Sequence, residues 1–127
     1  VNGPLAHEEG STILVVDDDA DVLELCASVL RDVGYTVLEA LSGADALAVI
    51  DDGAVVDAVL TDVVMPGIGG QALARAVNLR RPGLAVIFMS GYAATSDDDT
   101  CPVGADQILR KPFSDADLAQ AVRNVLT

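Results

Sequence analysis

Acids, a hydroxyl and an amine stand at four separated points of this 127-residue sequence, each directly behind an apolar run. Asp17, Asp18 and Asp19 follow Val15-Val16, and Asp62 follows Val59-Leu60-Thr61. Ser90 follows Ile87-Phe88-Met89, and Lys111, with Pro112 behind it, follows Ile108-Leu109-Arg110. Gathered in one crevice, the carboxylates would repel each other by roughly a few kcal/mol even at an effective dielectric of about 20, so something positive must compensate. A hard divalent cation with oxygen ligands suits them. Mg²⁺ in particular keeps several waters and takes one or two carboxylates plus a phosphate oxygen. Lys111 supplies a second positive charge. A carboxylate held beside Mg²⁺ and a lysine can attack a phosphoryl donor. The oxygens of the transferring group would then be matched by the cation, Lys111 and the Ser90 hydroxyl. Singly, each residue has a plainer reading: Asp19 as a helix N-cap, Asp62 as a turn residue, Ser90-Gly91 as a loop, Lys111 as a solvated amine. Their joint occurrence behind four apolar runs is what points to chemistry.

The apolar runs are the elements that must position these groups. Thr12–Val16, Thr36–Glu39, Ala58–Leu60, Leu84–Met89 and Gln107–Leu109 read as strands. Helical patterns lie between them. Val22, Leu25, Cys26, Val29 and Val33 share one expected face of a first helix, which Gly34 ends. Ser42 with Asp45 reads as a capping box opening a second helix over Ala44, Leu47 and Ala48. A third runs from Gly70 to Arg80, stopped by Arg81-Pro82-Gly83. Ser114 with Asp117 caps the last, with Leu118, Val122 and Val125 on one face. Between Tyr92 and Gln107 a fourth helix is due, but Pro102, Gly104 and three consecutive acids predict a short or frayed one. Alternating strands and helices imply an α/β fold with a doubly wound parallel sheet covered on both faces. Ile13–Val16 and Val59–Leu60 are apolar without alternation, so their strands are central. In such sheets ligands bind outside the carboxyl ends of the strands, where all four chemical positions fall.

Composition bounds the partners. Net charge is −13 and the pI about 4.1, a field that repels phosphate backbones and excludes nucleic-acid binding by this chain alone. It suits a cation or a basic patch on a protein. Aromatics make up only 3%, leaving a core of small aliphatics. Cys26 and Cys101 have neither metal-ligand nor disulfide spacing, Cys26 reading as a buried thiol. With no signal peptide and no apolar run of membrane length, the expectation is a cytoplasmic domain without membrane contact. Residues 1–11, including the lone His7, read as a linker or tag, and 12–127 as the domain.

The stretches ILVVDDD, DAVLTDVVMPGIGG, VIFMSGY and LRKPFS occur in an order and at separations that resemble the receiver domains of response regulators in two-component signalling. The resemblance spans residues 12–126. It implies a flavodoxin-like five-stranded sheet of order 2-1-3-4-5 and makes Asp62 the phosphoacceptor. Asp18, Asp62 and the backbone carbonyl of Val64 would hold Mg²⁺, with Asp17 acting largely through water. Ser90 would be the switch hydroxyl, Lys111 the phosphate-binding lysine, and the Lys111–Pro112 bond cis. The usual aromatic switch position on the fifth strand is Ile108 here, so the common rotamer switch cannot run in its common form. Tyr92, two residues past Ser90, would shade the phosphoryl group from water and slow its loss. The partners implied are a histidine kinase or a histidine phosphotransfer protein. The MSGY and KPFS wording looks most like receiver modules of hybrid sensor histidine kinases, and a linker-like start with an end just after the last helix fits a carboxyl-terminal module.

Such a domain accepts a phosphoryl group on itself rather than turning over a substrate, so the expectation is not an enzyme. Two other uses of the fold are an unphosphorylated pseudo-receiver that signals by contact and a haloacid-dehalogenase-like phosphatase. The second is disfavoured because Asp21 stands where a Thr or Val is expected after Asp17 and Asp19, and there is no room for a cap domain. Flavin binding is disfavoured too, since three carboxylates occupy the position of its phosphate loop.

Overall fold

The computed structural model describes residues 11–65, 67–90, 107–110 and 113–126, with backbone alone at Ser90, Gln107, Ile108 and Arg110. Five strands, β1 (Thr12–Val16), β2 (Thr36–Ala40), β3 (Ala58–Asp62), β4 (Ala85–Ser90) and β5 (Gln107–Arg110), form one parallel sheet of order β2-β1-β3-β4-β5. This is the order implied by the resemblance. Four described helices accompany it: α1 (Ala20–Val33), α2 (Gly43–Asp51), α3 (Gly70–Arg80) and α4 (Asp115–Leu126). Residues 91–106, where a short helix is expected, lie outside the described residues, as do the 1–10 segment and Cys101.

Strand alternation sorts the core into two layers. Ile13, Val15, Ala58, Leu60, Ile87 and Met89 pack with α1 and α4 on one face of the sheet. Leu14, Val16, Val59, Val86 and Phe88 pack with α2 and α3 on the other. Ile13–Val16 and Val59–Leu60 are fully buried because both faces of the sheet are covered. Each fully buried Leu or Ile contributes about 1.5–3 kcal/mol relative to exposure.

Five strand ends differ from expectation: β2, β4 and β5 each run one residue further, to Ala40, Ser90 and Arg110, and the other two have a visible cause. β3 runs on through Thr61 and Asp62, whose polarity does not break pairing: Thr61 is in register with Val16 and Asp62 with Met89. β4 begins at Ala85 instead of Leu84, because the Leu84 N–H donates to the Arg81 carbonyl at 3.1 Å and is still part of the turn.

Caps agree with the sequence reading. Asp19 accepts from the N–H of Asp21 and Val22 at the start of α1, and Gly34, at φ 117°, closes that helix. Ser42 accepts from the Asp45 N–H at 3.1 Å. Ser114 and Asp117 form a reciprocal box at 3.0 and 3.2 Å. The helix faces need correction. α1 buries Leu23, Cys26, Ala27 and Leu30, while Leu25 is 56% exposed and Val33 lies at the surface. α2 buries Gly43, Ala46 and Ile50 in place of Ala44 and Ala48, with Leu47 only half-buried. In α1 the face turned to the sheet combines Leu23 and Leu30 with the smaller Cys26 and Ala27, and in α2 it combines Ile50 with Gly43 and Ala46. Among the described residues no helix is long and apolar enough to cross a membrane.

Candidate functional site

Register alone brings the strand-end residues to one edge. Val16 pairs with Thr61, so Asp17 stands level with Asp62, the last residue of β3. Asp62 pairs with Met89, one residue before Ser90, and Ser90 pairs with Arg110, one residue before Lys111. Asp17, Asp62 and Ser90 thus step along adjacent strands at the same edge, and β5 ends beside Ser90 at Arg110.

Three carboxylates meet there. Asp17, Asp18 and Asp62 each offer an oxygen, and these atoms lie within 4.8 Å of one another. Asp17 is 1% exposed, Asp62 half-buried and Asp18 exposed. The backbone explains how β1 can deliver two acids. The Asp17 N–H donates to the Ala40 carbonyl at 3.1 Å, which prolongs pairing with β2. Asp17 Oδ1 then accepts from the Asp19 N–H at 2.9 Å, turning the chain into α1. Asp19 is spent on capping that helix and takes no part in the cluster.

β3 is held as firmly. The Val63 N–H donates to the Met89 carbonyl at 3.1 Å, and the Thr61 hydroxyl donates to the Asp62 carbonyl at 3.0 Å. Val64 follows in the loop and is 67% exposed, while Met65 is buried in the layer with α2 and α3. The loop returns to α3 through the Gly70 N–H, which donates to the Val63 carbonyl at 2.9 Å. Two contacts at this loop escape a sequence reading. A Cβ on Gly70 would come 2.9 Å from Val63 Cα, and one on Gly43 would come 2.9 Å from Ile68 Cβ. The only signal was the glycine-rich wording GIGG, which by itself says loop.

The donor set is all oxygen and all acidic, which fits a hard divalent cation such as Mg²⁺. Three carboxylates this close are mutually repulsive without one. The side chains of Ser90 and Ile108, and Tyr92, Lys111 and Pro112 entirely, lie outside the described residues. A cavity of about 620 Å³ between α1, the end of β2 and α2, lined among others by Leu23, Glu24, Glu39 and Leu41, includes none of the three clustered acids.

Residues 13–123 match the family model described as the response regulator receiver domain. The chain is 39% identical over 118 residues to the sensor kinase CckA of Brucella abortus, covering 91% of this chain but 12% of that one. Among solved structures, a response regulator receiver protein from Sinorhizobium medicae is 36% identical with a TM-score of 0.81, over 93% of this chain and 95% of that one. The response regulator TrrA of Thermotoga maritima, solved in complex with Mg²⁺-BeF, is 29% identical with a TM-score of 0.80, over 91% and 98% of the two chains.

Proposed function

The chain belongs to the response regulator receiver domain family, and from that premise we propose that Asp62 accepts a phosphoryl group from a phosphohistidine, or from a small donor such as acetyl phosphate. The observation that carries the reading is the meeting of Asp17, Asp18 and Asp62 at the carboxyl ends of β1 and β3. Asp18, Asp62 and the Val64 carbonyl are the residues that would hold Mg²⁺, with Asp17 acting through water. When bound, the cation would offset the charge of the incoming phosphoryl oxygens.

In the proposed transfer an Asp62 carboxylate oxygen forms the new O–P bond while the P–N bond of the phosphohistidine breaks, and the imidazole nitrogen keeps the electron pair. With acetyl phosphate a P–O bond breaks and acetate leaves. Half-burial suits Asp62 to this task, since its carboxylate stays within reach of a donor yet is backed by the buried Asp17. Lys111 would pair with the phosphoryl group and Ser90 would donate its hydroxyl to it. The product carries roughly two negative charges, a change large enough to bias the domain between two states that a partner reads. Ile108 in place of the family's aromatic means that this response runs without the usual ring rotation.

The partners that fit are a histidine kinase or a histidine phosphotransfer protein in the cytoplasm. Likeness to a CckA sensor kinase supports a receiver module of the hybrid-kinase type, formed by residues 12–127 with 1–11 as linker or tag. Incubation with acetyl phosphate and Mg²⁺, followed by intact mass measurement, tests the reading. The expected result is a gain of one phosphoryl group that requires Mg²⁺ and is lost in Asp62→Asn. No gain in the wild type would refute it.

A further inference from the structure

The chain behind Asp62 runs between the amino ends of two helices, and at each of them only a hydrogen fits. A Cβ on Gly70 would lie 2.9 Å from Val63 Cα and 3.2 Å from the Asp62 carbonyl carbon, and nearer still to that carbonyl's oxygen. A Cβ on Gly43 would lie 2.9 Å from Ile68 Cβ and 3.0 Å from the Ile68 carbonyl oxygen. The atoms facing Gly70 are all backbone and have no rotamer by which to escape, whereas Gly43 faces the branched Cβ and Cγ2 of Ile68 as well as its carbonyl oxygen. On the far side the same backbone is latched to β4, through the Val63 N–H on the Met89 carbonyl. Nothing is free to yield except the position of Asp62 and its loop, or the start of the helix.

We propose that Gly70 and Gly43 are positioning residues for the aspartyl site. By letting α3 press on the Asp62–Val63 backbone and α2 on Ile68, they hold the Asp62 carboxylate and the Val64 carbonyl at the spacing from Asp17 and Asp18 that a divalent cation requires. The inference rests on the reading of Asp62 as phosphoacceptor and adds the parts of the scaffold that set its geometry. Helix-start preference does not account for these glycines, because alanine is the better helix former. Gly69, next in line, makes the contrast. It has ordinary dihedrals (φ −77°), and a Cβ there would meet only the Val63 carbonyl oxygen, at an unstrained 3.4 Å. Sites of this kind tolerate displacements of about 0.5 Å before function suffers.

Gly43→Ala, Gly69→Ala and Gly70→Ala in the full chain, compared with wild type, test the proposal. Mg²⁺ affinity is read by calorimetry, phosphoryl uptake by intact mass with acetyl phosphate across a Mg²⁺ series, and folding by circular dichroism and melting. Gly70→Ala is expected to weaken Mg²⁺ affinity about tenfold and to raise the half-saturating Mg²⁺ for uptake in proportion, as supporting-shell changes do. Gly43→Ala should do so about threefold, and Gly69→Ala by less than about twofold. A role in stability alone would lower the melting temperature while leaving the Mg²⁺ affinity of the folded protein unchanged, and that result in a folded Gly70→Ala overturns the proposal. Should Gly70→Ala not fold, Gly43→Ala decides on the same two readings, an unchanged affinity overturning it. Wild type that binds Mg²⁺ but gains no phosphoryl group refutes the acceptor reading, while the calorimetric comparison still judges the glycines. Wild type that binds no Mg²⁺ refutes both.

Discussion

Asp17 and Asp62 are level across neighbouring strands, each the next residue after the pair Val16 and Thr61, yet only Asp17 is sealed from solvent. Asp17 is tied to the turn by the Asp19 N–H and to β2 by its own N–H, so it behaves as a fixed charge. Asp62 keeps an open side. An acceptor must be approachable and its supporting charge must not move, and the two acids divide along that line.

Removing one of the three charges should relieve repulsion. Asp62→Asn is expected to abolish phosphoryl uptake and, without Mg²⁺, to stabilise the fold by about 1 kcal/mol, less at high salt. Urea unfolding in a chelator, at low and high ionic strength, measures the gain. A loss of stability would mean that the carboxylate is already compensated within the protein.

A cation that binds the folded state alone should raise its stability by mass action. Mg²⁺ at a hundred times its dissociation constant is expected to add about 2.7 kcal/mol. Asp18→Ala should remove most of that increment while costing little in the chelated protein, since Asp18 is exposed. Urea midpoints with and without Mg²⁺ read both effects.

Not every aspartate here belongs to the site. Asp57 accepts from the Thr12 N–H at 2.7 Å and returns its own N–H to the Thr12 carbonyl at 2.7 Å, clamping the first residue of β1 beside β3. Asp57→Ala should cost about 1 kcal/mol of stability and leave phosphoryl uptake unchanged, because the clamp sits at the opposite edge of the sheet. Denaturant melts beside an acetyl phosphate assay separate the two.

Among the described residues Phe88 is the largest fully buried side chain, in the layer shared with α2 and α3. Phe88→Ala should cost about 3–5 kcal/mol. With domain stabilities of about 5–15 kcal/mol, that variant is expected to be marginally folded at best, as a calorimetric melt would register.

Strand positions and the clustered acids behind β1 and β3 were legible because a buried parallel strand is written as an unbroken apolar run, and Ile13–Val16 and Val59–Leu60 are such runs. Caps were legible because Ser42, Asp19 and Ser114 act on residues two or three positions away. The helix faces were not. Leu25 dominates the hydrophobic pattern of α1, but the sheet selects the side carrying Ala27 and Leu30, a choice made by the fit of whole surfaces. The Asp57 clamp and the glycine seats were hidden for a related reason. Each joins residues 7 to 45 positions apart, and nothing local to Gly70 announces that Asp62 lies against it.

The Cys26 thiol is fully buried under α1, 3.8 Å from the sulfur of Met89 on β4. No alkylating reagent can reach it until α1 lifts from the sheet, so its labelling rate is a clock for that opening event. Because Met89 is also the register partner of Asp62, the clock is mounted one residue from the chemistry. It should slow when Mg²⁺ is added, turning occupancy of the acidic edge into a signal read without any dye or engineered probe.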